Sequence, residues 1–428
     1  MHFTDGPREG TLYGTLALTQ KALDDYRPFI GEEAVEEIRS AAAPLKGLRV
    51  LHLSVTAFGT GVAELLSASA PLLSNVGIEC SWQVLRPAEE FVSANKALYR
   101  ALAGAESGWT PEMGQVWLRY SAMNADQLVE PYDVIIVHDP QPAAIRAFVS
   151  EAVRSASRWV LHSHLDLSSA GADAWRLLHR HIEDYDALVF DTEEFVHPEL
   201  RSSPYTIIRP AIDPLGPRNM ELSREAMATI LHRYATDLDR PLLSQVSPCD
   251  PGSDLLGVID VHDRVRKDVP GLQLALIAST PPEDAASISY FNEVVRKSKE
   301  SSDVHILRGV SEVGNVELNA FQRASNVVIQ KGLRKGFGIW ISDAQWKKRP
   351  VVTARAGGLA QQVIDGETGF LADTTDECSD RVGALLRDDE LALNLGEAGK
   401  RHVTEHFLLS RFLADQLRLL TSVVEKER

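Results

Sequence analysis

Short apolar runs alternate with amphipathic stretches along most of this chain, and nearly every run ends in a turn of glycine, proline or aspartate. Runs of that length, apolar on both faces, are strands of a parallel sheet, and a parallel sheet needs helices packed on both sides of it. Residues 48–55 form the first such run; the turn Thr56-Ala57-Phe58-Gly59-Thr60-Gly61 follows, and 62–73 has helical periodicity. The pattern recurs at 132–138, with a turn at 139–142 and a helix starting over 143–150, then at 159–164, and at 187–191 after a helix over 172–185. Strand, turn and helix in that order are βαβ units, so the fold class expected is α/β with Rossmann-like domains.

A proline-bearing polar passage, 209–218, interrupts the series and marks the exit from a first domain. After a helix over 223–234, a second series runs through strands at 241–246, 273–277, 304–307, 326–329 and 350–354. Helices at 255–267, 287–299 and 316–324 separate them. The organisation read from this is an N-terminal extension over 1–46 (a helix near 32–43), a first domain over 47–216, a linker helix over 217–240, a second domain over 241–405 and a last helix over 406–428. Two α/β domains facing a cleft suit a chain of 428 residues, which is long for one core.

Charge and cysteine usage narrow the function. A formal net charge of -16 disfavours a polyanion surface, so nucleic acid is not an expected partner, and anionic ligands need local donors. Cys80, Cys249 and Cys378 are far apart, which fits a reducing, cytoplasmic setting without a zinc framework. Neither a signal-peptide core nor an apolar run long enough for a membrane span is present in the sequence, so no membrane partner is expected.

Several motifs together resemble a known family. Phe58-Gly59-Thr60-Gly61-Val62-Ala63-Glu64, Val137-His138-Asp139-Pro140-Gln141-Pro142 and His162-Ser163-His164-Leu165-Asp166-Leu167-Ser168 are similar to the retaining glycosyltransferases of the trehalose synthase kind. Ile212-Asp213-Pro214-Leu215, the segment 319–325 and the turn at 365–371 extend the likeness over nearly the whole chain. The resemblance implies a GT-B fold and transfer of a sugar from a nucleoside diphosphate to an acceptor with retention, without cofactor or metal. It implies acceptor contacts from His138, Asp139 and Gln141, and a transfer centre near His164 and Asp166. His162, His164 and Asp166 alternate on an extended segment, a spacing that also admits a metal; His162 reads equally as a core histidine. Gly59 and Gly61 approach the donor in this reading.

The second domain departs from the family pattern. Where relatives carry Ser-Arg-Phe-Asp-Pro-Trp-Lys-Gly, this chain has Ser247-Pro248-Cys249-Asp250-Pro251-Gly252-Ser253-Asp254, so the two cations that hold the diphosphate are replaced by Pro248 and Ser253. The family's Arg-Glu-Gly-Phe-Gly is Arg334-Lys335-Gly336-Phe337-Gly338, and its ribose-binding glutamate is Asp343. Each charge-assisted bond to phosphate contributes about 1.5–3 kcal/mol, so two losses change the site materially. One reading relocates the charge: Lys331, Arg334 and Lys335 hold phosphate beside the amides of Gly357 and Gly358. The enzyme is then a glycosyltransferase with altered donor or acceptor specificity, a kind that serves secondary metabolism, thiol glycosylation in an antibiotic pathway among its uses. The other reading is an inactive sugar-binding or interaction protein, the lysines being solvated surface. Nucleotide sugar and a small-molecule acceptor are the expected partners, and a homodimer is open.

Overall fold

The computed structural model describes residues 13–85, 89–105, 107–279, 285–308, 313–332 and 336–425. The chain divides into two compact units: Met1–Pro210 with Leu409–Arg428, and Ala211–Leu408.

In the first unit, β1 (Tyr13–Thr15), β2 (Arg49–Ser54), β3 (Glu79–Leu85), β4 (Val134–His138), β5 (Arg158–Ser163), β6 (Ala187–Phe190) and β7 (Thr206–Ile207) form one sheet in the order β1-β3-β2-β4-β5-β6-β7. All pairs are parallel except β1 with β3, which is antiparallel at the sheet's edge. The helices are α1 (Arg27–Ala42), α2 (Gly61–Asn75), α3 (Glu89–Leu102), α4 (Pro111–Ala125), α5 (Ile145–Phe148), α6 (Glu151–Ala156) and α7 (Ala172–Ile182). The helix expected from residue 143 is only the single turn of α5, because Val149 takes an extended backbone and Ser150 caps a new helix, α6. Strand β4 is buried at every position, as its unbroken apolar run requires. Trp117, Trp159 and Phe190 are fully enclosed in the core that this sheet shares with its helices.

The second unit carries α8 (Arg224–Arg233), β8 (Leu242–Pro248), α9 (Leu255–Val265), β9 (Gln273–Ser279), α10 (Ala285–Ser298), β10 (Val304–Arg308), α11 (Asn315–Ala324), β11 (Val327–Gln330), α12 (Trp340–Trp346), β12 (Val351–Thr353), α13 (Gly357–Gln362), β13 (Phe370–Leu371), α14 (Thr375–Arg387) and α15 (Asp389–His406). Its sheet is parallel throughout, in the order β10-β9-β8-β11-β12-β13. Alternation along the strands divides the core between two faces. Leu243, Leu274 and Leu276 join one cluster, and Leu242, Ala275 and Ile277 the other. The passage 211–222 is tied into this unit: Asn319 Nδ2 donates to the carbonyls of Pro217 and Met220. The last helix, α16 (Leu409–Glu425), packs on α1 and α2 of the first unit, to which it belongs.

Strand order fixes where ligands are expected. In the first unit the chain steps from β2 outward to β3 and then back across β2 to β4, so the switch point lies between β2 and β4. In the second it lies between β8 and β11. Open parallel sheets bind ligands beyond the carboxyl ends of the strands at such points. The loops that matter are therefore those after β2, β4, β8 and β11.

Candidate active site

In the first unit, β2 delivers the turn 56–60 and the start of α2. Gly59 has φ 74°, a left-handed backbone that favours glycine, and Thr60 caps the helix by accepting from the Ala63 amide at 3.2 Å. A Cβ on Gly61 would meet nothing within 4 Å, so packing does not demand glycine there. Phe58 beside it is 60% exposed.

Strand β4 ends at His138, and Asp139 takes φ 67°, strained for a residue with a side chain. The compensation is visible: the Asp139 amide donates to the His162 carbonyl at 2.9 Å, and its Oδ1 accepts from the His164 amide at 2.8 Å. Burial raises the Asp139 carboxyl above its usual range, and nearby Asp191 adds to that. Gln141 is 9% exposed, and its Oε1 has no partner among the described residues. An acceptor oxygen left unsatisfied at a switch point is suited to a ligand hydroxyl.

Beneath this loop lies a row of imidazoles. His52 Nδ1 and His138 Nε2 are 2.9 Å apart, His138 Nδ1 and His164 Nε2 3.2 Å, and His164 Nδ1 and Asp191 Oδ1 2.8 Å. The ring centroids of His52 and His138 are 5.2 Å apart, and those of His138 and His164 5.5 Å with the planes within 7°. Those separations are as long as two rings can reach through such contacts, so the nitrogens point at each other head-on, as N–H···N hydrogen bonds require. His138, His162 and His164 bring nitrogens within 4.8 Å of one another, close enough to suggest a metal. The head-on geometry instead spends those of His138 and His164 on each other rather than converging them on a cation.

The polarity of the row follows from its end. The Asp191 carboxylate only accepts, so His164 Nδ1 carries hydrogen. With His164 neutral, each Nε2 accepts from the next ring, and His52 Nε2 ends the chain as an acceptor with no partner among the described residues. With His164 charged, the two bonds between imidazoles reverse while Nδ1–H still donates to Asp191. Burial presses against a charge on His164, yet Asp191, with help from Asp139, holds its pKa above the ordinary value. Burial likewise opposes the Asp191 anion, and His164 and His162 outweigh it and lower its pKa. The other three histidines are forced neutral: burial takes His52 down to about 3 and His162 to about 4, and His138 falls well below its usual value. The two shifts together favour the imidazolium–carboxylate form of the His164–Asp191 pair, whose opposite charges offset each other. His162 Nε2 stands 3.5 Å from the same Asp191 oxygen.

These positions redefine several expected roles. His138 is 1% exposed with both ring nitrogens held by other imidazoles, so it underlies the acceptor loop instead of facing a ligand. His164 also has both nitrogens engaged, one by His138 and one by Asp191. Asp166 Oδ1 accepts from the Ser168 amide at 2.8 Å, and among the described residues those whose ligand atoms cluster are His138, His162 and His164. The sequence reading overlooked His52 and Asp191. A signal existed, since three apolar runs of the first domain each contain a histidine that a buried strand has no other reason to carry.

In the second unit, Lys331 follows β11 and its ammonium is paired with Asp254. Arg334 and Lys335 lie outside the described residues. Gly338 has φ 68° and Gly357 φ 49°. Gly358 is demanded by close approach: a Cβ would stand 2.6 Å from the Phe337 Cα and 3.2 Å from the Gly336 carbonyl oxygen. Gln362 clamps this crossing, its Nε2 donating to the carbonyls of Phe337 and Gly358. Asp343, expected on a ribose, is 1% exposed; its oxygens accept from Arg218 and, at 2.8 Å, from Asn219. Lys347 Nζ donates to Asn219 Oδ1, Gln322 Oε1 and the Asp343 carbonyl, and burial lowers its pKa to about 7. In this structure Asp343 is the centre of a buried polar network that fixes the passage 217–220 on α12.

Comparison with known proteins gives these positions their context. A family model for the trehalose synthase N-terminal domain matches residues 52–197, and one for glycosyl transferases group 1 matches 258–402. Trehalose synthase of Rubrobacter xylanophilus is 40% identical over 407 residues, covering 94% of this chain and 97% of that one. Trehalose synthase of Pyrococcus horikoshii is 37% identical over 406 residues with the same coverage. Among solved structures, the α,α-trehalose 6-phosphate synthase of Burkholderia multivorans aligns with a TM-score of 0.67 at 15% identity, covering 88% of this chain and 99% of that one. Trehalose-6-phosphate from E. coli bound with UDP-2-fluoro glucose aligns at 0.69 and 12% identity, over 88% and 99%. At such identities these two speak for the fold, which is that of the GT-B glycosyltransferases. The chain is a glycosyltransferase enzyme and belongs to the family of the trehalose synthases.

Proposed function

We propose that this glycosyltransferase moves a sugar from a nucleoside diphosphate sugar to a small-molecule acceptor, with a donor or acceptor different from that of the trehalose synthases it resembles. The observation that carries this reading is the contrast between its two units. The acceptor-side loop after β4 keeps an unsatisfied, buried Gln141 oxygen, with Asp139 held by the His164 amide, while the loop after β8 carries Pro248 and Ser253 in place of two cations.

The step breaks the bond from the anomeric carbon to the diphosphate oxygen and forms one from that carbon to the acceptor atom, on the same face. The proton leaving the acceptor passes to the departing phosphate, so no side chain has to act as a nucleophile. His164 braces the acceptor loop, its backbone amide donating to Asp139 and its ring bonded to Asp191, whose negative charge offsets any proton the ring gains. Gln141 and Asp139 orient hydroxyls. Chemistry of this kind extends to sulfur acceptors, and a place in antibiotic biosynthesis in the cytoplasm is the setting we favour.

A second reading, a sugar-binding protein without turnover, is favoured by the pairing of Lys331 with Asp254, which leaves that ammonium already neutralised. A thermal-shift screen against UDP, ADP and GDP sugars decides between them, followed by detection of released nucleoside diphosphate on adding acceptors. Stabilisation by one nucleotide with turnover supports the transferase, because a ligand bound only by the folded state raises its melting temperature. Stabilisation by free sugars alone, with no response to any nucleotide, supports the second reading.

A further inference from the structure

Strands β8 and β11 are neighbours at the switch point of the second sheet, and the loops that leave them meet. A Cβ on Gly332, after β11, would come within 3.3 Å of the Gly252 carbonyl oxygen. Gln245, wholly buried on β8, stitches both loops together: its Oε1 accepts from the Lys331 amide at 3.0 Å, and its Nε2 donates to the Ser253 carbonyl at 2.7 Å. Helix α9, eleven residues long, begins at the end of the β8 loop with Asp254 as its N-cap. Such a helix end at a switch point is where a parallel sheet receives a phosphate.

In this chain the place is taken. Asp254, the α9 N-cap, sits at φ 45°, ψ 44°, a left-handed conformation that favours glycine, and so turns its carboxylate back over the helix end. One oxygen accepts from the Gly257 amide at 3.1 Å and the other from the Lys331 ammonium. The Tyr290 hydroxyl stands 3.5 Å from the next amide, that of Leu256. Gln330, the last residue of β11 and 7% exposed, keeps an Oε1 with no partner among the described residues. A built-in anion therefore holds both the helix end and the nearest cation, beside a polar group that awaits a partner.

We infer that Asp254 is a specificity-determining residue whose carboxylate stands in for the donor's phosphate, so that a nucleoside diphosphate binds only by displacing it from Lys331 and the α9 amides. The inference rests on the transferase reading above. Asp254 penalises every donor by the interaction it must surrender, and a donor sugar with a cationic group is favoured because it can pair with the displaced carboxylate.

The test is calorimetric titration of UDP, ADP and GDP into the full-length wild type, Asp254→Asn and Lys331→Ala. Asparagine keeps a capping oxygen and tolerates the left-handed backbone, so the helix end survives the change. Asp254→Asn tightens the preferred nucleotide by about ten- to a hundredfold, the factor carried by one charge-assisted hydrogen bond, and Lys331→Ala weakens it. Tightening in Asp254→Asn supports the inference, including the case where the wild type is too weak to measure. Equal affinities for wild type and Asp254→Asn overturn it while leaving the transferase reading in place. No binding by any of the three proteins overturns the transferase reading, and this inference falls with it.

Discussion

Acidification tests the imidazole row most directly. His52, His138 and His162 are neutral in the folded first unit, with pKa values of about 3 for His52, about 4 for His162 and well below the usual 6.5 for His138. In the unfolded chain each titrates near 6.5, so as pH falls from that value to about 5 the unfolded state comes to bind up to about three more protons here than the folded one. Stability therefore falls as pH falls, by about 4 kcal/mol per pH unit from these three groups, or roughly 6 kcal/mol at pH 5. His164 does not offset this. Its folded pKa is raised, so its stabilising share is fully present below 6.5 and is lost only as pH rises through the folded value. A loss of that size matches the whole stability of many domains. Urea melts followed by tryptophan fluorescence across this range report mainly the first unit, which holds five of the seven tryptophans. His52→Leu removes one titrating group, and its stability should depend on pH less steeply by about 1.4 kcal/mol per unit. Partly exposed histidines such as His197 contribute equally to both proteins and cancel in the difference. Identical slopes for wild type and His52→Leu would refute a buried, neutral row.

Four further outcomes follow from named contacts. Gly358→Ala sets a Cβ against the Phe337 backbone and should cost the second unit at least about 2 kcal/mol, measured by calorimetry; an unchanged melting temperature would mean the two segments do not cross so closely. Asp343→Ala removes the buried carboxylate that accepts from Arg218 and Asn219 and should cost about 3–5 kcal/mol in urea melts, whereas a mainly ribose-binding Asp343 would instead leave stability intact and weaken nucleotide binding. Gln141→Ala should raise the KM for the acceptor roughly tenfold and leave kcat and melting unchanged; a fall in kcat at constant KM would place it in the transfer step. Gly61→Ala should melt like the wild type, since its Cβ meets nothing, yet lose turnover if a donor approaches that backbone; full activity would remove Gly61 from the site.

Much of the fold was legible because a strand buried on both faces has an unmistakable composition. Strands β2, β4, β5, β8, β9 and β11 fall within a residue or two of their apolar runs. Strand β3 escaped notice: Glu79, Cys80, Ser81 and Gln83 break the run, and only position in the sheet makes it a strand. The single turn of α5 was invisible to periodicity, which needs several turns to register. At the site, sequence separated the histidines by up to 112 positions and could not show that parallel register brings His138 opposite His162. Burial was the missing quantity for Lys331 and Asp343 as well. Both looked like available ligand groups, and both are enclosed with a partner of opposite charge. In the sequence nothing sets Asp254 apart from its neighbours; its left-handed backbone, which aims the carboxylate, is a conformational fact that composition does not encode.

Because α16 completes the first unit from the far end of the chain, synthesis imposes an order on assembly. The surface of α1 and α2 that α16 covers stays bare on the ribosome until some two hundred further residues have been made. The second unit, continuous in sequence, can close while its predecessor is still waiting. A stop codon a few residues upstream of Leu409 would thus spare the later-made half and damage the earlier one.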